Sequence, residues 1–483
     1  MILRPVFTAL LSLAALSLSF ARAEKPNVVF ILADDLGYTD LACYGSGYYE
    51  TPNIDRLASE GMRFTNHHHA QNCQPTRAAL MTGQYGPRTG VYTVGGIDRF
   101  DWSSRPLRPV DNVTALPIDR TTIAESFKAA GYATAMFGKW HLGEKEGHHP
   151  AQRGFDEAIV SRGNHFDFST SPAVEVPAGA YLADFLTDKV EDFIRRKKDA
   201  PFFLYLPHYG VHSPHQAKTE WIEHFKDKEA VGGHHDAVYA AMIASVDESV
   251  GRVMALLEEL KIADNTVLIF ASDNGGVGGY EREGIKQGGD VTDNAPLRSG
   301  KGSLYEGGIR VPLMVRWPGV VKPGTCVTPT IHVDLPATFL DLSGAPVPTQ
   351  TLDGESLLPL LKDPEATLKR TAIYQHFPGY LGAGKDTWRT TPVGLIQSCD
   401  WKLMEFYEDG RLELYELNKD PGESHNLAQE QPEKAKELHE QLKAWRTEVG
   451  AKMPTQNTGT PADSADKKGK KKGQGKNKGK QPA

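Results

Sequence analysis

Apolar positions along this 483-residue chain follow two different periods. Asn27-Val28-Val29-Phe30-Ile31-Leu32-Ala33 is an unbroken apolar run of strand length that ends in Asp34-Asp35. A run with no polar interruption predicts a strand buried on both faces, as in parallel sheets. Residues 122–130 carry helical spacing with Gly131 as a cap, and an apolar stretch follows over 133–141. The same order recurs at 183–196 with 202–206, and at 237–260 with 266–271, the last strand running into Asp273-Asn274. Residues 311–316 form a further short apolar strand. Strands alternating with helices predict an α/β fold, a large, mostly parallel sheet sandwiched by helices.

The pattern changes near Asp353-Gly354. Residues 393–397, 401–407 and 412–417 read as short strands, with Asp409-Gly410 as a hairpin turn between the last two. Residues 432–449 form a charged amphipathic helix. These predict a smaller C-terminal antiparallel α+β domain. The expected division is a catalytic domain over 24–362, a small domain over 363–455 and a Lys/Gly-rich tail over 456–483. The stretch 467–483 holds eight lysines and no acidic residue, so it cannot build a core and is expected to be a disordered, solvated tail.

Composition narrows the setting. Net charge is −7, which argues against nucleic acid as a partner. Arg4, an apolar stretch over 6–20 and Ala21-Arg22-Ala23 before Glu24 have the form of an export signal over 1–23. That predicts a periplasmic or secreted protein, with no membrane span once the signal is removed. The four cysteines, Cys43, Cys73, Cys326 and Cys399, are too scattered for a disulfide scaffold or a zinc site, though Cys43, Cys326 and Cys399 leave room for one bridge.

The chemistry concentrates in Asn72-Cys73-Gln74-Pro75-Thr76-Arg77-Ala78-Ala79-Leu80-Met81-Thr82-Gly83. Pro75 followed by helix formers places a helix start near Cys73, where free backbone N–H groups favour an anion. Arg77 falls one turn later on the same face. Asp34-Asp35 and Asp273-Asn274 each lie just past the C-terminal end of a predicted parallel strand, the edge where open α/β sheets bind ligands. His212 follows another such end. Lys139 and His141, two apart in an extended segment, are expected to share a face. Three carboxylates and one amide oxygen are hard donors that suit Ca²⁺ or Mg²⁺ rather than zinc.

Cys73-x-Pro75-x-Arg77 followed by Ala78-x-Leu80-x-Thr82-Gly83 resembles the signature of the formylglycine-dependent (type I) sulfatases of the alkaline-phosphatase-like superfamily. Thr76 stands where that family often has Ser. Further blocks resemble the family in order: Asp34-Asp35, Gly138-Lys139-Trp140-His141, His212-Ser213-Pro214-His215, Ser272-Asp273-Asn274-Gly275, Leu297 to Gly302 running into Tyr305 to Pro312, and the ending Leu414-Tyr415-Glu416-Leu417 through Asp420-Pro421 and Asn426-Leu427. The resemblance implies hydrolysis of sulfate esters to alcohol and inorganic sulfate through a covalent sulfo-enzyme. It implies that Cys73 is oxidised to formylglycine by a formylglycine-generating enzyme. The hydrated aldehyde is then the nucleophile, and one divalent cation is held by Asp34, Asp35, Asp273, Asn274 and residue 73. It further implies that Arg77, Lys139 and Lys301 surround the sulfate with positive charge. His212 gives a proton to the leaving alcohol, with Lys301 as alternative, and His141 takes the proton of the second hydroxyl.

Two other readings stay open at this level. One is a phosphonate or phosphate ester hydrolase of the same superfamily; the other is a sulfoglycan-binding protein without catalysis. The substrate class is a sulfated small molecule or glycan, with loops such as 162–165 and 279–293 expected to set specificity. His67-His68-His69 is expected to shape the pocket rather than ligate a metal. Asn112-Val113-Thr114 is a glycosylation sequon.

Overall fold

The uninterrupted apolar run becomes the middle of the molecule. In the computed structural model, which describes residues 25–285, 289–384 and 387–458, Asn27–Ala33 (β1) is a strand whose last six residues have no exposed surface. It pairs in parallel with Phe202–Pro207 on one side and Thr266–Ser272 on the other. The parallel set continues through Ala133–Gly138 and Glu157–Arg162. In chain order these four are β2 (Ala133–Gly138), β3 (Glu157–Arg162), β4 (Phe202–Pro207) and β5 (Thr266–Ser272). Among the described residues, five parallel strands in the order β5-β1-β4-β2-β3 form the centre of a nine-stranded sheet. The edges depart from parallel: Leu313–Arg316 runs antiparallel to β5, and Ser169–Ser171 antiparallel to β3. The proposed export signal over 1–23 and the basic stretch over 467–483 lie outside the described residues.

The period-2 geometry of β1 divides its side chains between two cores. Val29, Ile31 and Ala33 face a cluster with Leu182–Lys197 and Ala237–Glu259, while Val28, Phe30 and Leu32 face one with Cys73–Thr82, Ile123–Ala129 and Asp334–Ser343. A strand wedged between helices on both sides has no solvent face, which is why its sequence carries no polar position.

Toward the C-terminus, Ile373–Phe377, Val393–Ser398, Trp401–Phe406 and Leu412–Glu416 form a four-stranded antiparallel sheet. Ile396, Leu403 and Leu414 pack against Leu438, Leu442 and Trp445 of helix Pro432–Glu448. The other face, with Leu395, Met404 and Tyr415, packs on Leu304 and Ile309 of the larger unit. The polar centre of that contact is Lys402. Its Nζ lies 2.9 Å from Glu306 Oε1 and 2.8 Å from Glu423 Oε1 and donates to Leu304 O at 2.8 Å, all without exposure. Such a buried charge is tolerated because every donor is satisfied.

No disulfide joins the four cysteines: Cys43, Cys73, Cys326 and Cys399 are all free thiols in the structure. The sequon asparagine is committed inside the fold. Asn112 Oδ1 accepts from the N–H groups of Tyr92 and Thr93, and its Nδ2 donates to the carbonyls of Thr93 and Gly95. A glycan there would break this clamp.

Candidate active site

Strand register brings the first two acidic segments together. Ala33 pairs with Ser272, so Asp34 and Asp273 emerge side by side at the C-terminal edge of the sheet. Asp273 N donates to Ala33 O at 3.0 Å, Asp34 N to Gly210 O at 2.9 Å, and Asp35 N to Asp273 Oδ1 at 3.1 Å. Asp35 adopts φ 66°, a left-handed conformation uncommon for a residue with a side chain and frequent where function constrains the backbone.

The helix expected near Cys73 is Cys73–Thr82, with Asn72 in extended conformation at its N-cap and Gly83 at φ 69° ending it. All ten of its residues are buried. Cys73 therefore sits on the first turn, where backbone N–H groups lack helical partners. Burial raises its thiol pKa against the lowering effect of Lys139 and Lys301, so the plain thiol is protonated at neutral pH.

Three cations match three carboxylates. Arg77 pairs with Asp273 at 2.7 Å, Lys301 with Asp35 at 2.6 Å, and Lys139 with Asp34. Burial alone would raise the Asp34 and Asp35 pKa values, but Lys139, His212, Arg77 and Lys301 drive Asp34 below the ordinary carboxylate range, and Lys301 leads the same effect on Asp35. Asp273 goes the other way: burial, then the Asp34 charge, raise it against Arg77.

Lys139 and His141 do reach the site, but not as alternate residues of one strand. The strand stops at Gly138, whose φ of 133° is open to glycine, and a Cβ there would lie 1.9 Å from Pro207 O. His141 then turns at φ 63°. The close approach of Gly138 to Pro207 is what lets Lys139 N donate to Pro207 O at 2.8 Å. Burial and the neighbouring Lys139 lower the His141 pKa well below its ordinary value, leaving a neutral ring able to accept a proton.

His212 Nε2 lies 3.8 Å from Asp35 Oδ2, while its Nδ1 faces Ser213 O at 2.5 Å. A neutral ring that donates from Nδ1 leaves Nε2 directed at the site. Burial and Lys139 lower its pKa as well, so an entering anion is needed to favour its charged form. His165, from the 162–165 loop, does not face the cavity; its Nε2 bonds the His212 carbonyl at 2.8 Å and so holds that turn.

Cys73, His141, His212 and Lys301 line one cavity of about 320 Å³. Among the described residues, the rest of its wall is Asn72, Val94, Arg99, Phe100, Gly302, Leu381, Gly382 and Arg389. Val94, Arg99, Phe100, Leu381, Gly382 and Arg389 carry no motif; Leu381, Gly382 and Arg389 lie on the paired strands Leu381–Gly384 and Thr387–Thr390, and the meeting of that hairpin with the segment around Arg99 left no local signal in the sequence. The histidine run is not in the wall. His67–His68 is a short buried strand paired with Thr330–Ile331; His67 Nε2 contacts His69 Nε2 at 2.9 Å, and His68 Nε2 contacts Glu306 Oε2 at 3.0 Å.

A divalent cation fits the acidic end of this site. Ligand atoms of Asp34, Cys73 and Asp273 lie within 4.8 Å of one another. Asp34 Oδ1 and Asn274 Oδ1 are buried and make no hydrogen bond, an expensive arrangement for oxygens with no further partner. Asn274 Nδ2 donates to Asp35 Oδ1 at 2.9 Å, which turns its oxygen away from that carboxylate. All these donors are hard oxygens except the Cys73 sulfur.

The comparisons with known proteins agree with this geometry. The Sulfatase family model matches residues 26–345, and the model for the C-terminal part of N-sulphoglucosamine sulphohydrolase matches residues 300–448. The chain belongs to the sulfatase family. A sulfatase of Formosa agariphila is 34% identical over 507 residues, covering 87% of this chain and 89% of that one. Human N-acetylgalactosamine-6-sulfatase is 31% identical over 449 residues, with 84% and 82% covered. Among solved structures, Ps i-CgsB in complex with k-i-k-neocarrahexaose matches with TM-score 0.74 and 30% identity, over 87% of this chain and 93% of that chain. This sulfatase is accordingly a sulfuric ester hydrolase of the alkaline-phosphatase-like superfamily. No helix among its described residues is long and apolar enough to cross a membrane.

Proposed function

We propose that this sulfatase removes sulfate from carbohydrate esters at a formylglycine made from Cys73, with one Ca²⁺ or Mg²⁺ held by Asp34, Asp35, Asp273, Asn274 and residue 73. The observation that carries the reading is the convergence on one cavity of a buried helix start at residue 73, a balanced set of three carboxylates and three cations, and two histidines on the cavity wall. A divalent cation added to that balanced set leaves the site positive, which suits an anionic ester.

When bound, the cation supplies Lewis acidity at residue 73, and the aldehyde hydrate supplies a pair of hydroxyls that a thiol lacks. The chain's own residues do the rest. Arg77 orients Asp273 and holds the Lys139 carbonyl at 2.7 Å, fixing the helix start against the strand ends. Lys139 and Lys301 present positive charge to the sulfate oxygens. His212 Nε2 gives its proton to the departing alcohol once the bound anion has raised its pKa. Neutral His141 accepts the proton released when sulfate leaves.

The same reading divides the chain into a catalytic unit over 24–362 and a small unit over 363–455, supported by the four-stranded sheet with its own helix. It also takes the apolar segment before residue 24 as an export signal, so the enzyme works in the periplasm or outside the cell after a formylglycine-generating enzyme has acted on it. Turnover of 4-nitrophenyl sulfate against 4-nitrophenyl phosphate tests the reaction. Sulfate should be the better substrate, with activity lost in Cys73→Ala; preference for phosphate would move the assignment to the phosphoester branch.

A further inference from the structure

A further buried carboxylate stands one hydroxyl away from Asp35. Asp40, on the turn Tyr38–Asp40, has no exposed surface, and among the described residues neither a lysine nor an arginine pairs with it; His234 Nε2 lies 3.7 Å from its Oδ1. Three neutral donors hold it. Gly37 N at 2.7 Å and Tyr239 Oη at 2.6 Å donate to Oδ2, and Thr292 Oγ1 at 2.5 Å donates to Oδ1. A Cβ on Gly37 would lie 2.8 Å from Oδ2, so glycine is what lets the backbone close over this carboxylate. A carboxylate taken out of water without a cation is costly, and none of the proposed steps uses it.

What the arrangement holds is Asp35. Its backbone is left-handed at φ 66°, a conformation that persists in a residue with a side chain only where the surroundings impose it. Its N–H donates to Asp273 Oδ1 at 3.1 Å, and its carbonyl accepts from Tyr239 Oη at 3.2 Å. Tyr239 thus shares one hydroxyl proton between Asp40 and the Asp35 backbone. The ring is fixed: Tyr239 is wholly buried on the first turn of helix Ala237–Glu259, where Asp236 Oδ1 accepts from its N–H at 2.8 Å. Asp40 aims the hydroxyl, and the hydroxyl secures the turn from which the Asp35 carboxylate departs. That carboxylate meets Lys301 Nζ at 2.6 Å through Oδ2 and Asn274 Nδ2 at 2.9 Å through Oδ1.

We propose that Tyr239 and Asp40 are positioning residues for the metal site: together they impose the Asp35 conformation that lets one carboxylate serve the divalent cation and Lys301 at once. The inference rests on the sulfatase reading and on the ion proposed with it. Neither residue lines the cavity, so both act through Asp35. Partners that orient a metal ligand from behind typically change ion affinity by about 10–100-fold when removed.

Calorimetric titration of chelator-stripped protein with Ca²⁺ and with Mg²⁺ tests this. Tyr239→Phe keeps the ring and loses one hydroxyl; it should weaken the tighter-binding ion by about tenfold, and Asp40→Asn by about as much. Tyr49→Phe is the control. It removes an equally buried hydroxyl, one that donates to Thr292 Oγ1 at 3.2 Å, and its Kd should stay within about twofold of wild type. Turnover of 4-nitrophenyl sulfate by Tyr239→Phe should recover as the ion nears saturation. An unchanged Kd in both Tyr239→Phe and Asp40→Asn would overturn the proposal. So would equal weakening in Tyr49→Phe, a turnover deficit that saturating ion leaves in place, or a wild type that binds neither ion. A wild type that binds the ion yet turns over no sulfate ester would instead sink the sulfatase reading and leave the binding result standing.

Discussion

Arg77 donates through both Nε and Nη2 to a single oxygen of Asp273, Oδ2, at 3.1 and 2.7 Å. Neither side chain is more than 1% exposed. The contact ties the helix that starts at residue 73 to the strand that delivers Asp273, across 196 positions of sequence. Removing one partner leaves a buried charge uncompensated. Arg77→Ala should therefore lower the unfolding free energy by about 3–5 kcal/mol, measured by urea denaturation. Adding Asp273→Ala should recover part of that loss; strict additivity of the two losses would show that the pair is not coupled.

Cys73 from an expression host with a formylglycine-generating enzyme should yield a tryptic peptide about 18 Da lighter than the thiol form, since one oxygen replaces sulfur and two hydrogens. Mass spectrometry reads this directly. Full turnover by protein whose Cys73 peptide is entirely unmodified would remove the aldehyde from the mechanism.

Dialysis against a chelator should abolish turnover, and Ca²⁺ or Mg²⁺ should restore it at about one ion per chain. Because the ion would bind the folded state, adding it at 100 times its Kd should raise stability by about 2.7 kcal/mol, seen as a higher melting temperature. Restoration by zinc alone would contradict the hard-oxygen ligand set. Asp34→Asn and Asn274→Ala should each weaken the response.

His141 and His212 should fail at different steps. His212→Ala should slow cleavage most for sugar alcohols, by about 10²–10⁴-fold, and least for aryl sulfates, whose phenolate leaves unaided. His141→Ala should release the alcohol in a first-turnover burst and free sulfate slowly afterwards. Equal damage to aryl and sugar substrates in His212→Ala would pass the acid role to Lys301.

Acid should unfold this protein early. Burial lowers the pKa of His208 and His332 to about 3, and that of His376 to about 4, all below the ordinary 6.5. His376 is held neutral by burial, although the contact of its Nε2 with Lys452 O at 2.8 Å works the other way; its Nδ1 faces the Tyr407 hydroxyl, also at 2.8 Å. With the folded pKa depressed, the unfolded chain binds these protons first. The stability from each neutral ring is complete above pH 6.5 and is lost as pH falls toward the folded value. Each should steepen the loss by about 1.4 kcal/mol per pH unit below 6.5. Thermal melts from pH 7 to 4 check this, and His376→Gln should flatten the slope by about 1.4 kcal/mol per pH unit. A melting temperature constant over that range would refute it.

Much of this protein was present in local sequence. The apolar runs at 27–33 and 266–271, the helix start at Cys73 and the acidic pairs that close two strands all follow from spacing alone, because burial on both faces and capping act over a few residues. The contacts that make the site were decided elsewhere. Register places Ala33 opposite Ser272, and only then do Asp34 and Asp273 meet. The segment from Lys139 to His141 reads as extended but leaves the strand at Gly138, because that backbone packs against Pro207. The antiparallel strand Leu313–Arg316 has the same apolar pattern as its parallel neighbours, since direction leaves no trace in periodicity. Arg99, Phe100 and Arg389, from segments nearly 300 residues apart, face one cavity with no motif to announce them. Periodicity records how deeply a position is buried; which remote side chains then share a pocket is set by packing between elements, and that exists only in the folded chain.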